Sequence, residues 1–337
     1  MFLHADLNHR EAVRREAGMK VSFPYMGTSH IVISYLFENL GHEVIYPSVP
    51  TKKTLSLGVQ YAPEFACLPF KILMGTYLEA VERGAEALVT SGGCGPCRAG
   101  YYGEMHKRIL HDLGYPVEML VLEPPLKMPF VFIRNVHKLV KPRGWHKLYP
   151  VFKISWEKLR ALDDIEETLH KLRPLAVSKN KITAAYEAGL DMIREADSVK
   201  QVIEAKDAAL AELKSVPVDP AYEPLRIGLI GEIYVVLEPA ANHDIERLLG
   251  EMGVYVHRSI FLTNWTRANT LSDGEKDVRA SAVPYLNFMV GGHGQNSIGE
   301  IVRYAEHGFD GVIQLAPFTC IPEIVAKSIV PTVSKEK

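Results

Sequence analysis

The chain has 337 residues, of which 47% are hydrophobic and 23% are charged, and its formal net charge is -2. A charge so close to zero gives no electrostatic reason to expect nucleic acid or an anionic membrane as a partner. The sequence has no apolar run of about 18 residues, the length that a membrane-spanning helix needs, and residues 1–18 lack the apolar segment of a secretion signal. We therefore expect a cytoplasmic, globular protein with room for two domains.

The first predicted unit is strand, helix and strand. Residues 19–48, MKVSFPYMGTSHIVISYLFENLGHEVIYPS, show this order, with Gly41 ending the helix. Apolar residues then recur every three or four positions over 70–81, which predicts an amphipathic helix, and Pro69 suits its first turn. Cys67 would stand just before this helix, where free N–H groups and the helix dipole favour a thiolate or an anionic cluster.

A glycine-rich loop with two cysteines follows the next predicted strand. Residues 77–97, YLEAVERGAEALVTSGGCGPC, contain a helix that ends at Gly84, a strand, and then Cys94 and Cys97. Because ligands of open α/β sheets lie beyond the carboxyl ends of the strands, we expect both cysteines at such a site. Further along, in KMPFVFI, Pro129 precedes another predicted strand.

The second half of the chain repeats these patterns. Residues 225–259 again predict strand, helix and strand, with a glycine ending the helix. Residues 303–323, RYAEHGFDGVIQLAPFTCIPE, repeat the pattern of 77–97 and contain Cys320; Gly84 aligns with Gly308, Glu86 with Asp310 and Val89 with Ile313, at a constant offset of 224. If the two halves face one another, Cys320 meets the CGPC loop across a cleft.

Between the two halves, residues 155–215 are rich in Leu, Ala, Glu and Lys at helical spacing, and the Pro-rich KSVPVDPAYEPL forms a linker. We expect these helices to pack between the lobes. The sequence thus predicts an α/β fold of two Rossmann-like domains with parallel sheets, an internal pseudo-repeat and a helical insert. The expected units are an N-terminal extension (1–19), a first Rossmann-like domain (20–150), an insert with linker (151–224) and a second Rossmann-like domain (225–337).

Three kinds of chemistry compete for the four cysteines. Thiol–disulfide exchange at Cys94 and Cys97 is supported by the strand before CGPC and the predicted strand after Pro129, but it leaves Cys67 and Cys320 without a role. Structural zinc often uses two CxxC pairs, and this chain has one. An iron–sulfur cluster accepts dispersed cysteines. The residues alone favour a cluster between two lobes, and leave a thiol–disulfide oxidoreductase and a non-catalytic, zinc-stabilised binding module as alternatives.

Four longer stretches carry a resemblance to a known family: FPYMG, TLSLGVQYAPEFACLPFK, GGCGPCRAGYY and APFTCIPE. Together they resemble proteins related to the D-component of 2-hydroxyacyl-CoA dehydratases, also described as acyl-CoA dehydratase activase-related or CoA-protein activase proteins. The same superfamily contains dehydratase subunits with a [4Fe-4S] cluster and double-cubane cluster proteins. The similarity extends over nearly the whole chain from Met19, which we expect to be the natural start. Relatives commonly continue beyond the final VSKEK, so we expect a truncated C-terminus.

The resemblance implies an iron–sulfur protein that takes part in radical dehydration, or in reduction, of a small substrate such as an acyl-CoA. Its cluster, a [4Fe-4S] cluster or a double cubane, would be held by Cys67, Cys94, Cys97 and Cys320. Low-potential electrons would come from a separate ATP-hydrolysing iron–sulfur activator, since this chain contains no GxxxxGK[ST] phosphate loop. The resemblance also implies a dimer, with a second copy or with a related subunit.

Four residues near the cysteines are weaker candidates for catalysis. Lys71 and Arg98 follow cysteines closely and would offset cluster charge or hold an anionic group. His293, in the glycine-rich GGHGQNS, is a candidate proton donor, and Glu323 is a candidate acid in the first turn of the last helix. The ordinary alternatives are solvated cations, a loop histidine and a first-turn carboxylate. The glycines beside His293 predict a close approach of backbone to a ligand.

Overall fold

The computed structural model describes residues 18–93, 95–270 and 274–337. Over these residues the chain is a mixed α/β protein with two small parallel sheets and many helices. The predicted extension up to residue 17, and the predicted ligand Cys94, lie outside the described residues. None of the described helices is both long and apolar enough to cross a membrane.

The first sheet has four parallel strands in the order β2-β1-β3-β4. Its two middle strands are the most deeply buried, and Val21, Ala87 and Leu88 have no exposed surface. The strands are β1 (Lys20–Ser22), β2 (Glu43–Val44), β3 (Ala87–Ser91) and β4 (Glu118–Leu122). The strand, helix and strand predicted over 19–48 are therefore confirmed, with the two strands parallel.

Five helices accompany this sheet: α1 (Ser29–Asn39), α2 (Lys52–Tyr61), α3 (Leu68–Glu82), α4 (Tyr102–Asp112) and α5 (Pro129–Val140). Helix α3 is the predicted amphipathic helix, with Pro69 in its first turn and with Phe70 and Tyr77 buried. Gly84 follows it at φ +94°, a left-handed conformation that glycine adopts without strain. The prediction that this helix ends at Gly84 is thus confirmed.

The predicted strand after Pro129 is wrong, because this segment begins helix α5. Pro129 occupies the first turn, where no amide donor is needed. Asn135 and Leu139, one helical turn apart, are buried, whereas Phe130 is exposed. Aromatic and β-branched residues suggested a strand, but burial at helical spacing determines the structure here.

Three long helices form a unit between the sheets and confirm the predicted helical segment. They are α6 (Trp145–Leu172), α7 (Lys179–Glu195) and α8 (Val199–Ser215). Ser178 and Ser198 cap α7 and α8 by accepting hydrogen bonds from N–H groups of the first turn. Helix α6 runs through residue 150, the predicted domain boundary, and contacts both α1 and a strand of the second sheet, Tyr255–Arg258.

The second sheet has three parallel strands in the order β6-β5-β7, namely β5 (Arg226–Gly231), β6 (Tyr255–Arg258) and β7 (Gly311–Leu315). The strands predicted in this half are confirmed, but three short helices replace the single helix expected between β5 and β6. Glu238 is extended and separates the first of these helices from the second, and the left-handed His243 and Asp244 separate the second from the third. The helices of this half are α9 (Ile233–Leu237), α10 (Pro239–Asn242), α11 (Ile245–Glu251), α12 (Leu262–Thr270), α13 (Lys276–Ala282), α14 (Gly294–Glu306) and α15 (Ile321–Glu336).

A buried ionic network joins the three parts of the chain. Arg258 of β6 pairs with Glu166 of α6 and with Glu246 of α11, the latter at 3.2 Å. Thr28, before α1, donates a hydrogen bond of 2.8 Å to Glu166. Burial, together with the charge of Arg258, lowers the pKa of His170 to about 3, so His170 meets Glu246 as a neutral ring. Because the network reaches all three parts, it fixes the second half relative to the first.

Candidate functional site

The carboxyl ends of four strands border one cavity with a volume of about 1840 Å³. Its lining includes Cys97 beyond β3, Glu123 beyond β4, Glu232 beyond β5 and Cys320 beyond β7. This is the edge at which open α/β sheets bind their ligands. The CGPC loop and the Cys320 loop, which come from different halves of the chain, therefore meet at one cavity.

Each described cysteine stands directly before a helical segment. Cys67 is the N-cap of α3 and Cys320 is the N-cap of α15, and in both a Cys-X-Pro sequence places the proline in the first turn. Cys97 precedes a short 3-10 turn over Arg98–Tyr101. Cys67 and Cys320 are buried, and Cys97 is half-buried. Helix N-termini offer free N–H groups and partial positive charge, so at least Cys67 and Cys320 occupy positions that stabilise an anion.

Arg98 holds the cysteine loops together. Its guanidinium donates hydrogen bonds to the carbonyl oxygens of Phe65, at 2.7 Å, and Thr319, at 2.6 Å. Nearby, the N–H of Leu68 donates to the carbonyl oxygen of Phe318, at 3.2 Å. Phe65 and Thr319 belong to different halves of the chain, so Arg98 joins the halves beside the thiols. Arg98 is therefore a positioning residue in this structure.

Replacing Arg98 with glutamine is expected to lower the free energy of unfolding by about 1–3 kcal/mol, because two charge-assisted hydrogen bonds to carbonyl groups are lost. Urea-induced unfolding would measure this change. Arg108→Gln is the matched control and should change the free energy of unfolding much less, since Arg108 is exposed and pairs with the exposed Glu104 of its own helix. Equal stability of the two variants would contradict the positioning role.

The predicted glycine-rich loop before α14 lies against Cys97. Gly291 has φ +87°, and a Cβ there would lie 2.5 Å from the backbone nitrogen of Cys97. A Cβ on Gly292 would lie 3.2 Å from Pro322 and 3.8 Å from the sulfur of Cys97. The lack of side chains therefore lets backbone of the second half approach the CGPC loop closely.

Burial raises the pKa of all three described thiols, and for Cys320 the pKa reaches about 12. The nearby carboxylate of Glu232 raises each pKa further, while N–H groups that hydrogen-bond the sulfurs act in the opposite direction. Thiol–disulfide exchange relies on a thiol whose pKa is lowered. These surroundings therefore disfavour exchange at Cys97, and the thiols need a compensating positive charge to become thiolates at neutral pH.

Tyr102 is a site residue that the sequence did not reveal. Its hydroxyl oxygen lies 2.6 Å from the sulfur of Cys67. Its ring meets Phe70 edge-on, with the ring centroids 4.8 Å apart, which holds the hydroxyl in place. Tyr102 belongs to the motif GGCGPCRAGYY, but it is 35 positions from Cys67 in the sequence, and no local pattern predicts their contact. Only the packing of α4 against α3 brings it to Cys67.

Lys71 contacts the loop before Cys67, and His293 contacts the cavity. The ammonium group of Lys71 donates a hydrogen bond of 2.9 Å to the carbonyl oxygen of Glu64 and lies 5.9 Å from the centroid of the Phe318 ring. It therefore helps to order the loop before Cys67. His293 lines the cavity, and burial lowers the pKa of its imidazole to about 4, which favours the neutral ring at neutral pH.

Glu323 faces the interior of the second half. Its carboxylate accepts hydrogen bonds from the hydroxyl of Ser297, at 3.0 Å, and from the side-chain amide of Gln314, at 2.7 Å. Its side chain is fully buried, and it is not among the described residues that line the cavity. Glu323 therefore connects α15 with α14 and β7, and the first-turn acid that we predicted has a structural role here.

Glu232 is the carboxylate that the sequence analysis overlooked. It follows β5 directly, caps α9 by accepting a hydrogen bond of 3.0 Å from the N–H of Val235, and lines the cavity. Burial raises its pKa from 4.5 to about 7. The sequence could have indicated Glu232. Ligands of open α/β sheets lie beyond the carboxyl ends of the strands, and Glu232 follows β5 just as Cys97 and Cys320 follow β3 and β7. Glu232 can hold or release a proton near neutral pH.

The raised pKa of Glu232 makes stability depend on pH. The folded state binds more protons than the unfolded state between pH 4.5 and 7, so stability falls as the pH rises through this window. From pH 5 to pH 8 we expect the wild type to lose up to about 3 kcal/mol relative to Glu232→Gln. Urea unfolding at several pH values would test this, with Glu187→Gln on the surface of α7 as the control. Parallel pH profiles for the wild type and Glu232→Gln would contradict the expectation.

The residues fit a thiolate-ligated cluster in chemical terms. The described donors are three thiols near N–H groups, and Thr319 has a buried hydroxyl without a hydrogen-bond partner in the described ranges, beside Cys320. Within 18–93, 95–270 and 274–337, no group of three His, Cys, Asp or Glu side chains is arranged to hold a single metal ion. Cys67, Cys97 and Cys320, with Cys94 outside the described residues, are the residues that would hold a cluster.

Comparison of the chain with models of known protein families and with curated protein sequences found no match.

Proposed function

We propose that this protein holds an iron–sulfur cluster on Cys67, Cys94, Cys97 and Cys320 and accepts low-potential electrons from an ATP-hydrolysing activator. The observation that carries the proposal is the convergence of Cys67, Cys97 and Cys320, from distant parts of the chain, on loops joined by Arg98. Buried thiols near N–H groups suit an anionic cluster. The resemblance to proteins related to the D-component of 2-hydroxyacyl-CoA dehydratases supports the same reading and suggests a [4Fe-4S] cluster.

A cluster of this kind supplies single electrons to a substrate, for radical dehydration or for reduction. The chain itself contributes the cavity and a titratable carboxyl group. Glu232 is close enough to Cys97 and Cys320 to influence their pKa values, and it lines the same cavity. With a pKa of about 7, its carboxyl group can give a proton to a leaving hydroxide.

The mouth of the cavity supports an anionic substrate with an apolar part, such as an acyl-CoA. One side of α6 presents Trp145, Tyr149, Phe152 and Trp156 to the cavity, at helical spacing. Residues 124–156 contain seven Lys or Arg and no Asp or Glu; of these cations, Lys127 is among the described residues that line the cavity, which Glu123, Asp163 and Asp164 also line. Aromatic surface can hold an apolar group while the cations attract phosphates or carboxylates.

We further propose that the two α/β parts are a Rossmann-like pseudo-repeat in a cytoplasmic protein. Three strands of the first sheet, in the order β2-β1-β3, correspond to β6-β5-β7 of the second. In both, the strand that precedes a cysteine lies on the same side of the strand that opens the unit. A duplication of this kind would account for the equivalent Cys-X-Pro caps of α3 and α15.

The test is the content of iron and acid-labile sulfide per chain, in protein purified without oxygen. About four of each is expected for a single cubane. A content near twice that would support the double-cubane form of the same proposal. Zinc without sulfide, or no metal, would contradict the proposal and favour the zinc-stabilised module or thiol chemistry.

A further inference from the structure

A second pocket opens beside the main cavity, at the carboxyl ends of β5 and β6. Its volume is about 390 Å³, which falls in the range of about 300–1,000 Å³ for small-molecule sites. Gly231, Ser259 and residues of α12, α13 and α14 border this pocket, which we call the side pocket. Its described lining shares six residues with the cavity, namely Phe261, Asn264, Trp265, Arg267, Glu275 and His293. A molecule bound in the side pocket can therefore extend into the cavity.

Four polar side chains of the side pocket have hydrogen-bonding groups without a partner in the described part of the chain. They are the guanidinium groups of Arg267 and Arg303 and the side-chain amides of Asn264 and Asn296. Arg303 is half-buried, although no described carboxylate forms an ion pair with it. Partial burial of a cation without a counter-ion is unfavourable. A bound anion would supply the partner that these groups lack.

The acidic side chains of the side pocket do not cancel its two unpaired cations. Glu275 already forms an ion pair with Arg279, at 3.2 Å. Glu300 is not an ion-pair partner of Arg303, and burial raises the pKa of Glu300 to about 7, so about half of this group is protonated at neutral pH. The side pocket therefore has a net positive charge that suits a small anion.

The lining fits a carboxylate on a short carbon chain. Guanidinium groups bind carboxylates through paired N–H···O hydrogen bonds, and the two asparagine amides add further donors. Phe261 and Trp265 provide apolar surface where the side pocket meets the cavity, so the carbon chain has a place to pack. A phosphate with two negative charges is a poorer match, because two glutamates belong to the same lining.

His293 connects the side pocket with the cysteine site. Its side chain lines both the side pocket and the cavity, and its imidazole has no hydrogen-bond partner within the described ranges. It directly follows Gly292, where a Cβ would lie 3.8 Å from the sulfur of Cys97. A ligand that extends from the side pocket past His293 therefore approaches the Cys97 loop.

We propose that the side pocket binds the carboxylate of a small organic acid through Arg267 and Arg303, with the carbon chain directed into the cavity. This site is separate from the aromatic mouth on α6. Its cations come from α12 and α14, not from the cysteine loops. The carboxylate should therefore bind whether or not the cysteines hold a cluster.

The test is titration of the protein, purified without oxygen, with sodium butyrate at neutral pH and constant ionic strength, followed by isothermal titration calorimetry. We expect the wild type to bind butyrate but not butyramide, which has a similar shape and no charge. Arg303→Gln and Arg267→Gln should each weaken butyrate binding about tenfold, because each removes charge-assisted hydrogen bonds. Neither should unfold the protein, since neither arginine has a described ion pair to lose.

Arg160→Gln is the matched control, because Arg160 lines the cavity but does not belong to the described lining of the side pocket. This variant should bind butyrate as the wild type does. Thermal unfolding of each variant shows that it is folded before it is titrated.

Four results would overturn the proposal. They are a wild type that does not bind butyrate, equal binding by the wild type and the variants of Arg267 and Arg303, butyramide binding as tight as that of butyrate, and inorganic phosphate binding tighter than that of butyrate. The last result, if the same variants abolish it, would make this a phosphate site. Because the heat of binding does not depend on iron, failure of this test leaves the proposed cluster intact, and absence of iron leaves the carboxylate site intact.

Discussion

Replacement of Cys320 with serine is expected to remove most of the iron and sulfide from protein purified without oxygen. Cys320 is the predicted ligand contributed by the second half of the chain. Without it, only cysteines of the first half would remain to bind the cluster. Loss of a residue that only supports a ligand weakens metal binding by about 10- to 100-fold, and loss of the ligand itself should cost at least as much. Cys67→Ser should have a similar effect.

Iron and sulfide analysis, with the visible absorption spectrum, would measure this change. Ala66→Ser is the control, because it places the same hydroxyl group at a buried position next to Cys67 without removing a thiol. A thiol–disulfide oxidoreductase acting through Cys94 and Cys97 would behave differently. Its activity would survive Cys320→Ser, and that outcome together with unchanged metal content would refute the cluster.

Arg258→Met is expected to lower the free energy of unfolding by about 3–5 kcal/mol, the largest effect on stability that we predict. Arg258 is 4% exposed and balances two carboxylates, those of Glu166 and Glu246. Removing the cation leaves both buried carboxylates without a compensating positive charge, although each keeps a neutral partner, Thr28 for Glu166 and His170 for Glu246. Because Thr28 also bonds to Glu166, the junction of the three parts of the chain should loosen.

Urea unfolding followed by tryptophan fluorescence would measure the loss. The triple variant Arg258→Met/Glu166→Gln/Glu246→Gln should recover much of it, because it removes the buried charges together. Arg247→Met, which breaks half-exposed pairs with Asp244 and Glu251, should cost about 1 kcal/mol or less. If Arg258→Met cost no more than Arg247→Met, the network would not be the joint between the halves.

Local patterns were sufficient to predict most of the secondary structure. The helix after Cys67 shows apolar spacing of three and four residues, Pro69 marks its start and Gly84 marks its end. These signals arise within a few residues of one another, so the sequence displays them directly. The segment after Pro129 misled the same reasoning. Its residue types favour a strand, and only the neighbours that bury Asn135 and Leu139 make it a helix.

The contacts around the cysteines, in contrast, could not be predicted from local sequence patterns. Arg98 and Thr319 are 221 positions apart, and Gly27 and Glu238 are 211 apart, yet both pairs are hydrogen-bonded across the two halves. No local pattern encodes such contacts, because they depend on how the helical unit places one sheet against the other. The roles of Arg98, Tyr102 and Glu232 follow from that placement.

The amino-acid order alone was therefore enough for the parallel strands, for the helices that follow Cys67 and Cys320, and for the expectation that cysteines gather at strand ends. Hydrogen bonding and burial along a short segment produce those features. The hydrogen bonds of Arg98 to both halves of the chain and the raised pKa of Glu232 depend on tertiary packing. Burial, charge and exposure at these positions are set by residues from distant parts of the chain, and only the folded molecule brings them together.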